Sequence, residues 1–203
     1  MILLSTSQTL YISLSIIGIL VVIFLICLLY FRNIYRNKHA RELTYLKLSR
    51  ICEHNDYLLL NDYHIDFDDK NKGLIDHLVI SNKYIIIISV FSISGVLSGK
   101  FQGEELVNVN KKGTSIVANP INYNINLTKR LALFNDLNTS FLKGLVIINN
   151  DSSIKIEGHN EQFKIIKRKD LNKTIKEFDK ENIKNLNEES VIKFINKLNE
   201  ENK

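Results

Sequence analysis

The chain has 203 residues, 45% hydrophobic and 24% charged, which holds one ordinary domain with small additions, or two very small domains at most, and excludes a wholly disordered, collagenous or coiled-coil protein. Two cysteines, Cys27 in an apolar run and Cys52 in an expected helix, exclude a disulfide framework and lack zinc-site spacing. The net charge of +5 would suggest nucleic acid, until it is located along the chain.

From Leu10 to Phe31 run 22 residues without a charge. At about 1.5 Å per residue they cross a hydrocarbon core of roughly 30 Å. A cleaved signal peptide would need a positive leading segment, a shorter apolar run and a small-x-small cleavage site, none of which is present. The reading is a transmembrane helix over 10–31 after a short extracytoplasmic tail, 1–9, with Tyr11, Tyr30 and Phe31 at the interfaces. Residues 32–50 hold Arg32, Arg36, Lys38, Arg41, Lys47 and Arg50 against Glu42 alone, whereas residues 51–203 carry 21 basic and 21 acidic side chains. This basic juxtamembrane segment is the positive-inside signal and places the C-terminal domain in the cytoplasm of a single-pass cell-membrane protein. Arg32, Arg36, Lys38 and Arg41 are expected at the membrane surface, each contributing about 1 kcal/mol near anionic lipid. Nucleic-acid binding is the alternative reading of this segment.

Leucine spacing over 38–54 predicts an amphipathic helix continuing from the anchor. After 57–65 comes a polar, Gly-ended connection of hairpin type, 66–73. The β-branched runs 74–81 and 84–91 predict two strands, joined as a hairpin through Asn82-Lys83. Extended pieces are expected at 93–101, 105–109 and near 114–118. Asn119-Pro120 opens a helix over 121–138, followed by strands at 143–150, 153–158 and 163–167 and a short helix at 169–178. Residues 181–201 place Leu186, Val191, Phe194, Ile195 and Leu198 on one side, an amphipathic helix either docked on the domain or awaiting a partner. The order indicates an α/β domain over 40–178, with 179–203 appended.

The segment "LIDHLVISNKYIIIISVFSISGVLSG", 74–99, resembles the nuclease-related domain (NERD) family, whose fold is a restriction-endonuclease-like mixed sheet flanked by helices, of the PD-(D/E)xK group. That family reads as a strand with I-D-H, a short turn, a strand ending in E-x-K and a Gly-containing turn. Ile75, Asp76, His77, Val79 and Ser81 match the first strand, and Gly95 and Gly99 the turn. Asn119-Pro120-Ile121 resembles the opening of the family's next helix, and Glu42 falls where the family has an acidic residue on its first helix; the resemblance covers about 40–150.

Where the resemblance implies E-x-K, this chain has Ser89-Val90-Phe91, and the Gln usual after Asn-Pro is Tyr123. In a strand, residues two apart project from one face, so a Glu and a Lys at that spacing reach a cleft shared with the Asp of the neighbouring strand. Two carboxylates there hold a divalent cation, and the Lys orients the attacking water. Ser89 is a poor Mg²⁺ ligand, and Phe91 carries neither charge nor donor; burying its ring would contribute roughly 1.5–3 kcal/mol to the fold instead. Asp76 is then read as a structural remnant, His77 on the opposite face as a hydrogen-bonded histidine, and Glu42 as a remnant or a solvated helix residue. Asp66, Asp68 and Asp69 crowd one turn without the length or Glu of a calcium loop. The basic stretch 164–180 reads as a solvated helix face.

The leading expectation is a membrane-anchored pseudonuclease acting as a binding or scaffolding module, with no cofactor, a protein partner and only weak support for nucleic acid. The alternative is a nuclease holding Mg²⁺ or Mn²⁺ on Asp76 and Glu42. A C-terminal reporter active only in the cytoplasm tests the orientation: activity is expected, and a silent reporter on well-expressed protein overturns it.

Overall fold

The computed structural model describes residues 6–68 and 71–201. It divides into two units, Met1–His39 and Ala40–Lys203. The first contains one helix, α1 (Thr6–Lys38), longer at both ends than the run of apolar residues alone. Its stretch Leu14–Phe31 has a mean hydropathy of 3.1 and no buried residue, and is long and apolar enough to cross a membrane. A helix bonds its backbone polar groups internally, which hydrocarbon requires, and Ser15 likewise donates its hydroxyl to Tyr11 O at 2.9 Å.

The expectation that the next helix continues from the anchor needs correction. α1 ends at Lys38 and α2 spans Ala40–Asn55, with His39 in a turn between them. The α/β unit then runs β1 (Leu58–Asp68), β2 (Asn71–Ile80), β3 (Ile85–Phe91), β4 (Val96–Lys100), β5 (Glu105–Asn110), β6 (Gly113–Ala118) and α3 (Pro120–Phe134). It continues with β7 (Leu142–Ile148), β8 (Ser153–Glu157), β9 (Phe163–Lys167), α4 (Leu171–Asp179) and α5 (Glu188–Glu201).

Two mixed sheets result. The first has the order β1-β2-β3-β7-β9, antiparallel from β1 to β3 and parallel from β3 to β9. The second has the order β6-β5-β4-β8. The run Ile85–Ile88 explains the first: four isoleucines point to both faces, so both must be covered. Leu48, Ile51 and Cys52 of α2 and Ile175 and Phe178 of α4 cover Ile86 and Ile88. Leu127 and Leu131 of α3 and Phe194 and Leu198 of α5 cover Ile85 and Ile87 on the other side. A third apolar cluster, including Leu97, Leu106, Val146 and Phe163, joins the two sheets. The turn into the second sheet needs glycine at Gly95, where φ is +104° and a Cβ would stand 2.3 Å from Val109 O.

The hairpin expected over 66–73 is tighter than its composition suggested, because the β1–β2 ladder reaches Asp68↔Asn71. Asp69, and the side chains of Asp66 and Asp68, lie outside the described residues. The basic stretch 164–180 is divided between β9, a 3-10 turn at Arg168–Asp170 and α4; its Arg168 is buried rather than on a solvated helix face. The last helix starts at Glu188, not 181, where the Asn187 side chain accepts from Glu189 N at 3.2 Å. It is docked on the domain: Phe194 and Leu198 are buried, and Leu186 N donates to Asn82 O at 2.8 Å.

All three apolar clusters lie within the second unit. A fragment of residues 40–203 is therefore expected to fold without α1 and to give a mixed α/β circular dichroism spectrum; an unfolded or almost wholly helical spectrum would contradict this architecture.

Candidate functional site

The site lies where the β2–β3 ladder ends. The last paired residues are His77↔Ile88, and beyond them the Asp76 side chain replaces backbone as acceptor: Val90 N donates to Asp76 Oδ2 at 2.6 Å. β2 does not alternate strictly here, since Ile75 packs in the same cluster as Leu78 and Ile80. Opposite this stretch Asp62 has φ +50°, between the pairs Asn61↔His77 and Tyr63↔Ile75. The first turn of α2 brings Arg41 Nε to 2.7 Å from Asp76 Oδ1, an ion pair whose angle falls short of a hydrogen bond. The Asp76 side chain is 8% exposed and that of Arg41 55%. Burial pushes the Asp76 carboxyl above its ordinary range, against the opposing pull of the Val90 N–H and the Arg41 charge.

Asp76 and Arg41 line a cleft of about 350 Å³ with Ser89, Phe91, Pro120 and Tyr123. Asn119 sets this wall by capping α3: it accepts from Ile121 N at 3.0 Å and donates to Phe101 O at 3.0 Å and Gly103 O at 2.7 Å. Pro120, at the first helical position, has no N–H to leave unpaired. Ser89 is buried, and its Oγ accepts from Asn124 Nδ2 at 2.9 Å. Tyr123 is half exposed and joins α3 to β2, donating to Leu74 O at 3.3 Å.

Sequence reasoning placed Phe91 in the core, but the ring is only partly buried against the third apolar cluster and lines the cleft without filling it. Asp76, Ser89, Phe91 and Tyr123 do come together, whereas Glu42 is exposed and does not line this cleft. Its neighbour Arg41, expected at the membrane surface, takes the place at Asp76; successive helix residues differ by about 100° in direction. Lys38 is exposed, and the side chains of Arg32 and Arg36 lie outside the description. Asn124 was missed. Its signal was a polar residue on the buried stripe of α3, between Ile121 and Leu127, and it fits because residue 144 is glycine: a Cβ there would meet Asn124 Oδ1.

His77 is buried away from the cleft, with Nδ1 2.7 Å from Asn61 Oδ1. Burial lowers its pKa from 6.5 to about 4. The unfolded chain thus binds this proton more readily, so His77 contributes stability above pH 6.5 that is lost as pH falls towards 4, about 3 kcal/mol in all. Asp76 acts in the opposite sense: its raised pKa means that stability is lost as pH rises through its titration. In urea unfolding of the 40–203 fragment, His77→Gln should flatten the loss between pH 6.5 and 4.5. An unchanged slope would show that His77 does not govern it.

The nuclease-related domain family model matches residues 37–149, more than half of the chain. No curated protein and no solved structure matches it significantly. The matched region runs from the end of α1 through β7 and contains Arg41, Asp76, Ser89, Phe91 and Tyr123, and the helix-flanked mixed sheet is consistent with the restriction-endonuclease-like fold. On this match and this architecture, the chain belongs to the nuclease-related domain family.

Proposed function

We propose that this protein is a membrane-anchored member of its family whose domain binds or scaffolds in the cytoplasm and does not cut nucleic acid. The observation that carries the reading is the set of partners around Asp76. One carboxylate oxygen takes the Val90 N–H and the other faces the Arg41 guanidinium. This donor set does not fit a divalent cation. Mg²⁺ binds through carboxylates and water in near-octahedral geometry, and a guanidinium at 2.7 Å from the carboxylate opposes a second positive charge there. Ser89 already accepts from Asn124, and Phe91 offers no ligand. Among the described residues no cluster of three His, Cys, Asp or Glu side chains is arranged to hold a metal.

The E-x-K pair would supply a second carboxylate and an ammonium to orient water. Ser89 and Phe91 supply neither, and losing one well-placed charge stabiliser costs about 10²–10³ in rate. The reading therefore includes no metal cofactor. The charge balance of residues 51–203 favours a protein partner over a phosphate backbone. The apolar α1 and the basic segment after it support anchoring, with the domain on the cytoplasmic side.

The test is incubation of the 40–203 fragment with DNA and RNA in Mg²⁺ or Mn²⁺, with Asp76→Ala as control for contaminating nuclease. No cleavage above that control is expected. Metal-dependent cleavage that disappears in Asp76→Ala would overturn the reading and favour a nuclease. DNA affinity measured against salt separates binding from cutting: a steep salt dependence would indicate phosphate contacts and count against a protein partner.

A further inference from the structure

The two sheets have four edge strands: β1, β9, β6 and β8. Sheet edges expose unpaired N–H and C=O groups, and proteins usually block them with charge, proline or irregular backbone. Three of these edges carry such a feature. β9 has Lys164 and Lys167, β8 has Lys155 and Glu157, and β1 has the left-handed Asp62. β6 has the sequence GTSIVA, with no charge and no proline, and is exposed at every position except the half-buried Val117. Beside it on the same face stand Val107 and Val109 of β5, 38% and 45% exposed, and Ile116 of β6 is 68% exposed.

We propose that β6 pairs with β6 of a second copy of this chain, antiparallel about Ile116, to form a continuous eight-stranded sheet. Hydrogen-bond parity permits the pairing. Asn110 pairs with Gly113 across the β5–β6 turn, and Asn119 N donates to Glu104 O at 2.9 Å, so the odd-numbered residues of β6 bond to β5. Thr114, Ile116 and Ala118 therefore turn their N–H and C=O outward. Their side chains share the outer face with Val109, Val107 and Glu105, their respective partners on β5. A two-fold axis at Ile116 pairs Ile116 with Ile116 and Thr114 with Ala118, keeping outward groups opposite outward groups. It also sets the most exposed apolar side chains of the strand side by side.

Charge selects the second copy as occupant. The exposed Lys111 and Lys112 lie at one end of the hairpin, and the exposed Glu104 and Glu105 at the other, with Glu105 paired to Ala118. Antiparallel self-pairing brings the lysine end of each copy beside the glutamate end of the other, whereas parallel pairing would set lysine against lysine. The pairing does not rest on what the cleft binds, although Ala118, at the end of β6, also lines that cleft.

Oxidative cross-linking of the full chain in membranes tests it, in a Cys27→Ala background. Cys52 is buried, and burial pushes its thiol up to about 11, so it does not compete. Ile116→Cys should give a disulfide-linked dimer, since paired residues in an antiparallel ladder stand about 5.5 Å apart at Cα. Thr114→Cys alone should not, but mixed with Ala118→Cys it should. Sedimentation of the detergent-solubilised chain should show a dimer that Ile116→Lys and Lys112→Glu each weaken by about tenfold. Adding Glu105→Lys to Lys112→Glu should restore it. A monomeric chain, a dimer indifferent to Ile116→Lys, equal cross-linking at 114 and 116, or β6 occupied by a different protein would each overturn the proposal.

Discussion

A carboxylate buried at the end of a sheet must be matched by donors or by positive charge, and the cleft of this domain is arranged around that requirement. The Asp76 side chain is 8% exposed, and burial raises its pKa. The Val90 N–H and the Arg41 guanidinium stabilise its charged form. Both come from the fold itself: Val90 is available because the β2–β3 ladder stops at His77↔Ile88, and Arg41 because α2 begins at Ala40. On the proposed function, a side chain of the first helix turn stands in for the cation that a nuclease would bring from solution.

The surrounding residues are consistent with that substitution. The Oγ of Ser89 is engaged by Asn124, whose own place depends on the missing side chain at Gly144. Phe91 leaves its ring half in the cleft, beside Pro120 and Tyr123. The result is a largely apolar recess with one ion pair at its wall.

Much of this architecture was legible in the sequence because the relevant signals are local. The charge-free run to Phe31, the isoleucines of β3, the polar Asn82-Lys83 turn and Asn119-Pro120 each prescribe an element from a few residues. The site was half legible. Asp76, Ser89, Phe91 and Tyr123 converge as their order implied, but the choice of Arg41 over Glu42 depends on the rotational setting of α2, which its weak amphipathic pattern does not define. Asn124 is understandable only with Gly144, twenty residues away and on another element. The break at His39 and the start of α5 at Glu188 depend on turn and capping geometry, which composition does not specify.

The account rests on Arg41, not a metal ion, being the cation that Asp76 faces. Its most direct test is a Mn²⁺ titration of the 40–203 fragment, followed by water-proton relaxation, in the parent sequence and in Asp76→Asn. The account predicts that the two fragments give the same weak, nonsaturating response. Saturable binding of one Mn²⁺ per domain that Asp76→Asn abolishes would contradict it.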